Sequence, residues 1–425
     1  MIDVLERPRR ASKQRDSIDD LEILRSAQQR VLWLATRMIH EANNVRPNPD
    51  KTKVGGHQAS CASAVSILTA LYFGGWLNPG DRVSIKPHAS PVYHAIQYLL
   101  GNLDRKYLTT LREFGGLQAY PSRTKDPDPV DFSTGSVGLG AAAPLFAALA
   151  DRYAETHFAS SGRPAKRRRF IALLGDAELD EGNVWEAIND DTVRGTCLGN
   201  VLWIVDLNRQ SLDRVIPGIK VRETQDLFRG AGWHVIETKF GRRLQAAFAR
   251  PGGEVLRRRI DDMPNEEYQD LLRASNERLR ELVLASAPGP DRTPLSEVLS
   301  GYADDELPDL IADLGGHDFH ELLAAFHAAD AHPDRPTVLF AYTIKGWRLP
   351  IAGDPLNHSA LLSQAQIDEL RASVGLTETE EWNPFPDASP EGALCRATAK
   401  RLYASDEAAR VAPEITIPAS LGGPI

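Results

Sequence analysis

The sequence predicts an α/β fold, a mostly parallel sheet with helices on both faces. Three observations carry this. Short β-branched apolar runs alternate along the chain with helical stretches, which is the order of βαβ units. The runs are apolar throughout instead of at every second residue, as expected when helices cover both sheet faces. With 42% apolar and 25% charged residues over 425 positions, the chain can bury a core of ordinary size.

The elements follow in order. Residues 1–45 read as a polar arm and one amphipathic helix, with Ile18, Leu21, Leu24, Ala27, Val31, Leu34 and Met38 at helical spacing from 18 to 42. NNVRPNPDKTKVGGH is a loop by its Asn, Pro and Gly content. Residues 46–375 form the α/β domain. Its expected strands are Arg82–Lys86, Phe170–Leu174, Val201–Val205, His234–Thr238 and Thr337–Tyr342. Helical stretches are expected near 60–73, 91–100, 138–157, 182–195 and 318–329. Residues 255–312 are charged and helical in tone, an insertion between strands. The basic run RPAKRRRF at 163–170 reads as a solvated face. Residues 376–425 are expected to form an extended tail that packs on a partner subunit.

Composition excludes several classes. The formal charge is −9, opposite to the basic footprint of a nucleic-acid binder. Cys61, Cys197 and Cys395 form no CxxC pair, so there is no zinc or iron–sulfur pattern, and their sparseness fits a reducing cytoplasm. No apolar run approaches the ~20 residues of a membrane span, and the polar N-terminus lacks a secretory core. The expectation is a cytoplasmic protein.

The chemistry-bearing segment starts FIALLGDAELDEGNVWEAINDD and runs on to VLWIVDLNRQSLD. An apolar strand ends in Gly175-Asp176, a helix follows, and the next strand ends in Asp206-Leu207-Asn208. In a parallel βαβ unit both strands finish on one edge, so Asp176 and Asn208 sit side by side where open α/β sheets bind ligands. A carboxylate with a carboxamide suits a hard cation such as Mg2+, which commonly bridges to phosphate. Gly175 lets the backbone approach a diphosphate. A Gly-Asp alone is an ordinary turn; the matching Asn208 makes it a metal–diphosphate candidate.

This pattern resembles the thiamine-diphosphate enzymes, and six further motifs are similar to the single-chain-type pyruvate dehydrogenase E1 component. They are VGGHQASCASAVSILTALYF, KPHASPVYHAI, STGSVGLGAA, GAGWHVIE, GGHD and YTIKGW, in the family's order from about residue 20 onward. Transketolases share the fold. The resemblance implies a thiamine-diphosphate-binding fold with thiamine diphosphate and Mg2+ as cofactors. It makes Asp176 and Asn208 side-chain ligands of the metal and Gln210 a ligand through its carbonyl. Gly175, Ala177 and Glu178 would lie beside the diphosphate, and Val137, with Gly138 and Leu139, would offer a carbonyl to the aminopyrimidine. His57, His88 and the loop residue His358 would face the reacting carbon, with Lys345 nearby. Histidine, titrating near neutral pH, fits proton transfer to and from the substrate oxygen.

Two positions depart from the family. Ala177 follows Asp176 where Gly is usual, and its methyl crowds a phosphate unless φ there is negative. Asp206 stands where relatives often have Asn, and a carboxylate near a diphosphate is repulsive unless compensated. The tail EITIPASLGG resembles the linker before the family's second domain, which holds the aminopyrimidine and an activating glutamate. The expectation is therefore a split enzyme whose partner subunit carries that domain, as an α2β2 assembly. Three functions stay open. The first is an E1-like subunit decarboxylating a 2-oxo acid and passing the two-carbon unit to a lipoyl-bearing acyltransferase or carrier. The second is a transketolase-like subunit moving a ketol unit from a sugar phosphate, with Arg123, Lys125, Arg209 and Arg214 as candidate phosphate ligands. The third, supported by Ala177, is a non-catalytic scaffold.

Overall fold

The computed structural model describes residues 18–49, 52–158, 167–211, 214–215, 221–285 and 287–403. The described chain opens with α1 (Ile18–His40), which ends in a π turn over Glu41–Val45. Next come α2 (Gln58–Phe73), β1 (Arg82–Ser84), α3 (Ser90–Leu99) and α4 (Leu139–Phe158). The central unit is β2 (Phe170–Gly175), α5 (Gly182–Asn189), α6 (Asp191–Gly195) and β3 (Val201–Leu207). A short ribbon, β4 (Gln210–Ser211) with β5 (Arg214–Val215), leads to α7 (Val221–Gly230) and β6 (His234–Thr238). The helical insertion holds α8 (Arg242–Phe248), α9 (Gly253–Asp261), α10 (Asn265–Leu272), α11 (Asn276–Ala285), α12 (Gly289–Ser300) and α13 (Leu307–Ile311). Then follow α14 (Phe319–Ala329), β7 (Thr337–Tyr342), α15 (Gln364–Ser373) and α16 (Pro390–Tyr403).

The main sheet has the order β1-β2-β3-β7-β6, and every pairing in it is parallel. The strand alternation divides the core in two. Ile171, Leu173, Leu202, Ile204 and Leu339 face α1, α2, α3 and α14. Phe170, Ala172, Leu174, Val201, Trp203, Val205 and Phe340 face α4, α5, α7 and the insertion. Both faces are therefore dry, which is why the strands read as continuous apolar runs. α2 is buried on every side, and its Ala, Ser and Cys residues let neighbours approach closely.

The first helix lies where its periodicity places it, and Val31, Trp33, Leu34 and Met38 are fully buried. Three expectations need correction. The stretch 182–195 is two helices, because Asp190 is extended and its carboxylate caps the second by accepting from Thr192 and Val193. The segment from 376 is no extended tail as far as 403. Trp382 takes a hydrogen bond from Tyr98 through its carbonyl, and α16 forms because Leu394, Cys395, Thr398 and Leu402 recur at helical spacing against α1 and α2. The residues beyond 403, with the EITIPASLGG motif, and residues 1–17 lie outside the described ones. Finally, Arg169 of the basic run is no solvated charge: it pairs with Asp81 at 3.1 Å and Asp330 at 2.8 Å and covers the Trp76 ring. No helix among the described residues is long and apolar enough to cross a membrane.

Candidate active site

The carboxyl edge of the sheet carries the candidate residues. Gly175 of β2 pairs with Asp206 of β3, so Asp176 and Asn208 leave adjacent strand ends together. Asp176 accepts from the Arg209 amide at 2.8 Å and the Ala177 amide at 2.9 Å. Asn208 Oδ1 accepts from the Gln210 amide at 3.1 Å. Arg209 adopts a φ of 62°, a conformation rare for L-residues, and this folds its amide back onto Asp176. The Gln210 side chain is buried, and neither its Nε2 nor its Oε1 has a partner among the described residues. Glu178 Oε2 accepts from the Gly175 amide at 2.8 Å. Gly175 has a φ of −82°, so its role is space: a Cβ there would press on Lys86 Cε at 3.1 Å.

Burial raises the Asp176 carboxyl to about 6 despite the pull of Lys86, and it raises Glu178 as well. A buried carboxylate held that high lacks cationic charge, and a hydrogen-bonded carboxamide beside it has a lone pair to spare. These residues fit a divalent cation with a diphosphate. No cluster of three or more His, Cys, Asp or Glu able to hold a metal exists among the described residues; the expected set here has one carboxylate and two amide-type oxygens.

Both departures from the family pattern find a physical answer. Ala177 is not among the residues with positive φ, so its methyl is accommodated. Asp206 is fully buried and receives Lys86 Nζ at 2.8 Å, Ser63 Oγ at 2.7 Å and the Thr343 hydroxyl. Desolvation opposes its ionisation, but Lys86 and these donors outweigh it and hold Asp206 below the usual carboxylate range. Burial likewise opposes the Lys86 charge, yet Asp206 holds its pKa above normal.

The three histidines converge from far apart in sequence. The His57 and His88 rings lie 4.5 Å apart edge-on, His57 and His358 stack at 4.3 Å, and His88 and His358 are 5.5 Å apart. His57 Nδ1 meets the His358 carbonyl at 2.9 Å; a carbonyl only accepts, so Nδ1 carries the proton and Nε2 is an acceptor. Burial lowers the pKa of both, His88 to about 2, with His57 and Lys86 adding to the effect. Lys345 is buried and close enough to depress both imidazoles. Its carbonyl accepts from Asn357 at 3.2 Å.

The Val137 carbonyl takes a hydrogen bond from Asn183 Nδ2 at 2.7 Å, leaving one lone pair. Gly138 is required as glycine: its φ is 83°, and a Cβ would meet Asn183 Oδ1 at 2.4 Å. Val137 and Leu139 on either side are half exposed. Among the candidate phosphate ligands, Arg209 lies at the site but stacks on Tyr268 at 4.3 Å, while Arg123 and Lys125 are exposed on a loop. The Arg214 side chain lies outside the described ones.

Sequence reasoning missed four residues. Lys86 stood inside a quoted motif, and a charge at a strand end was the available signal. Asn183 sits in the segment that follows Asp176. Arg112 and Tyr120 line a small pocket with His57 and His88, and nothing in their spacing placed them there.

Residues 75–249 match the family "Transketolase, thiamine diphosphate binding domain". The pyruvate dehydrogenase E1 component of Cupriavidus necator is 30% identical over 390 residues, 87% of this chain and 41% of that protein. That of Pseudomonas aeruginosa is 30% identical over 363 residues, 83% of this chain and 39% of that protein. The chain thus spans about two fifths of the length of these relatives. Among solved structures, transketolase from Leishmania mexicana superposes with a TM-score of 0.60 at 18% identity, over 89% of this chain and 44% of that one. Transketolase from Campylobacter jejuni gives 0.54 at 19%, over 89% and 48%. At that identity the likeness shows the fold. Residues 75–249 are therefore similar to a transketolase-type thiamine-diphosphate-binding domain and share its fold, in a chain whose sequence is similar to that of pyruvate dehydrogenase E1 components.

Proposed function

We propose that this chain is the diphosphate-binding part of a thiamine-diphosphate enzyme that acts on a 2-oxo acid, with Asp176, Asn208 and the Gln210 carbonyl holding Mg2+. The observation that carries the reading is the convergence of His57, His88 and His358, with His88 just past the end of β1, whose parallel pairing with β2 puts it at the sheet edge where Asp176 and Asn208 leave their strands. Thiamine diphosphate held there would supply a nucleophilic carbon and an electron sink for cleavage beside a substrate carbonyl. The chain's own residues manage protons and water. His57, neutral with Nε2 as acceptor, is set to take or return a proton at the substrate oxygen. His88 is held neutral by burial and lines the same pocket. Gly138 would let the Val137 carbonyl serve an aminopyrimidine, with Asn183 fixing the direction of that carbonyl.

The site is completed by a second domain that supplies the activating glutamate, and in our reading a separate subunit brings it in an α2β2 assembly. A two-carbon unit then passes to a lipoyl-bearing acyltransferase or carrier. The apolar, half-exposed residues beside the cofactor loop support a covering domain. Val137 and Leu139 continue along α4 into Phe146 and Tyr153, and Leu139, Phe146 and Tyr153 recur every seventh position on one exposed face.

The test is calorimetry of thiamine diphosphate with Mg2+, on the chain alone and with a protein carrying the second domain. Binding that Asp176→Ala abolishes, with turnover of pyruvate and not of a ketose phosphate, is expected. Turnover of the ketose phosphate alone would replace the 2-oxo acid with the transketolase-like reading. No cofactor binding in either setting refutes the proposal and leaves the scaffold.

A further inference from the structure

The pocket beside the histidines contains a cation that no metal or cofactor role explains. Arg112 lines it together with His57, His88 and Tyr120. Its placement is specific. Arg112 has a φ of 59°, an unfavourable conformation for arginine that surrounding structure must maintain. Its amide donates to the Leu117 carbonyl at 2.8 Å, and Nη1 donates to the Val54 carbonyl at 3.1 Å. Gly55, at φ 119°, makes room for the guanidinium: a Cβ there would lie 2.0 Å from Arg112 Nη1. Among the described residues, no carboxylate pairs with Arg112.

Further cations lie near the pocket. Lys53, Arg112 and Lys345 all act to depress protonation of His57, and Lys345 does so at His88; Lys86, which also acts on His88, is paired with Asp206. A concave site with cations and low-dielectric walls concentrates anions. Guanidinium, with its planar fork of donors, is the group best matched to a carboxylate or phosphate.

Resting on the function proposed above, we propose that Arg112 is a specificity-determining residue that binds the anionic end of the substrate and orients its carbonyl toward His57 and His88. The shared chemistry is an oxyanion, either the carboxylate of a 2-oxo acid or the phosphate of a sugar phosphate.

The test titrates the full chain with pyruvate, with inorganic phosphate and with neutral dihydroxyacetone. The readout is the ring resonances of His57 and His88, followed by 15N NMR. Saturable shifts are expected for the anions and not for dihydroxyacetone. Tighter pyruvate binding assigns the carboxylate, and tighter phosphate binding assigns the phosphate. Arg112→Met should weaken anion binding at least tenfold, and Arg112→Lys should recover most of it. Anion affinity unchanged in Arg112→Met overturns the proposal. So do equal responses to dihydroxyacetone and pyruvate, or an Arg112→Lys protein no better than Arg112→Met. Calorimetry of thiamine diphosphate with Mg2+ on the same proteins separates the two claims. Anion binding without cofactor binding would sink the proposed function and leave the anion site standing.

Discussion

Lys86 and Asp206 form a closed ion pair beneath the candidate metal site, and its removal in halves and as a whole should give opposite results. The ammonium and carboxylate are 2.8 Å apart with side chains 6% and 0% exposed. Lys86→Met would leave Asp206 as a buried anion with two hydroxyl donors, Ser63 and Thr343, and would strip Asp176 of its neighbouring cation. Breaking a buried pair from one side costs about 3–5 kcal/mol, and Lys86→Met belongs in that range. Asp206→Asn should cost less, about 2 kcal/mol, because Asp176 and Glu178 still face the ammonium. The double variant, Lys86→Met with Asp206→Asn, removes both charges. It should be more stable than Lys86→Met alone, which implies a coupling of at least about 2 kcal/mol. Urea unfolding of the four proteins at pH 7, followed by tryptophan fluorescence, measures it. Single-variant costs that add within about 0.5 kcal/mol would show that the pair does not act as a unit, and the account of how Asp206 is tolerated would fall.

Three further outcomes are expected. His57→Ala and His88→Ala should each lower turnover about 10²–10⁴-fold while leaving calorimetric binding of thiamine diphosphate with Mg2+ intact; loss of cofactor binding instead would make them structural. Phe146→Glu, on the exposed face of α4, should abolish association with the second-domain protein in sedimentation while the monomer's circular dichroism is unchanged; undiminished association would move the interface elsewhere. Stability should fall as pH drops from 6.5 to 5. Burial holds His88 at about 2 and His317 at about 3, so the unfolded chain, with histidines near 6.5, binds more protons over that window. The stability present above pH 6.5 is then lost, by at most about 2 kcal/mol for each histidine. Asp176, raised to about 6, works in the other direction and returns about 1 kcal/mol between pH 6 and 5. A urea midpoint at pH 5 equal to or above that at pH 7 would contradict the buried, neutral histidines.

What the sequence disclosed follows from which features are local. Strand and helix assignments rest on periodicity over a few residues, and β2, β3, β6 and β7 lie where the apolar runs place them. The juxtaposition of Asp176 and Asn208 is long-range, yet it was legible because parallel pairing in a βαβ unit leaves two strand ends no other arrangement. The histidine cluster joins residues 57, 88 and 358, and only motif resemblance brought them together, since no spacing rule links positions so far apart. Other features depend on the environment of a residue more than on its type. Asp206 reads as a liability in the sequence because its compensation comes from Lys86 and Ser63, more than a hundred positions away. Ala177 reads as a steric fault because composition does not report φ; Asp176 takes the Ala177 amide and Glu178 takes the Gly175 amide in one tight turn. The tolerance of the two departures thus has two origins. Ala177 is accommodated by a local turn whose side chains fold back on their own strand end, and Asp206 by a long-range network that keeps the sum of buried charge near zero.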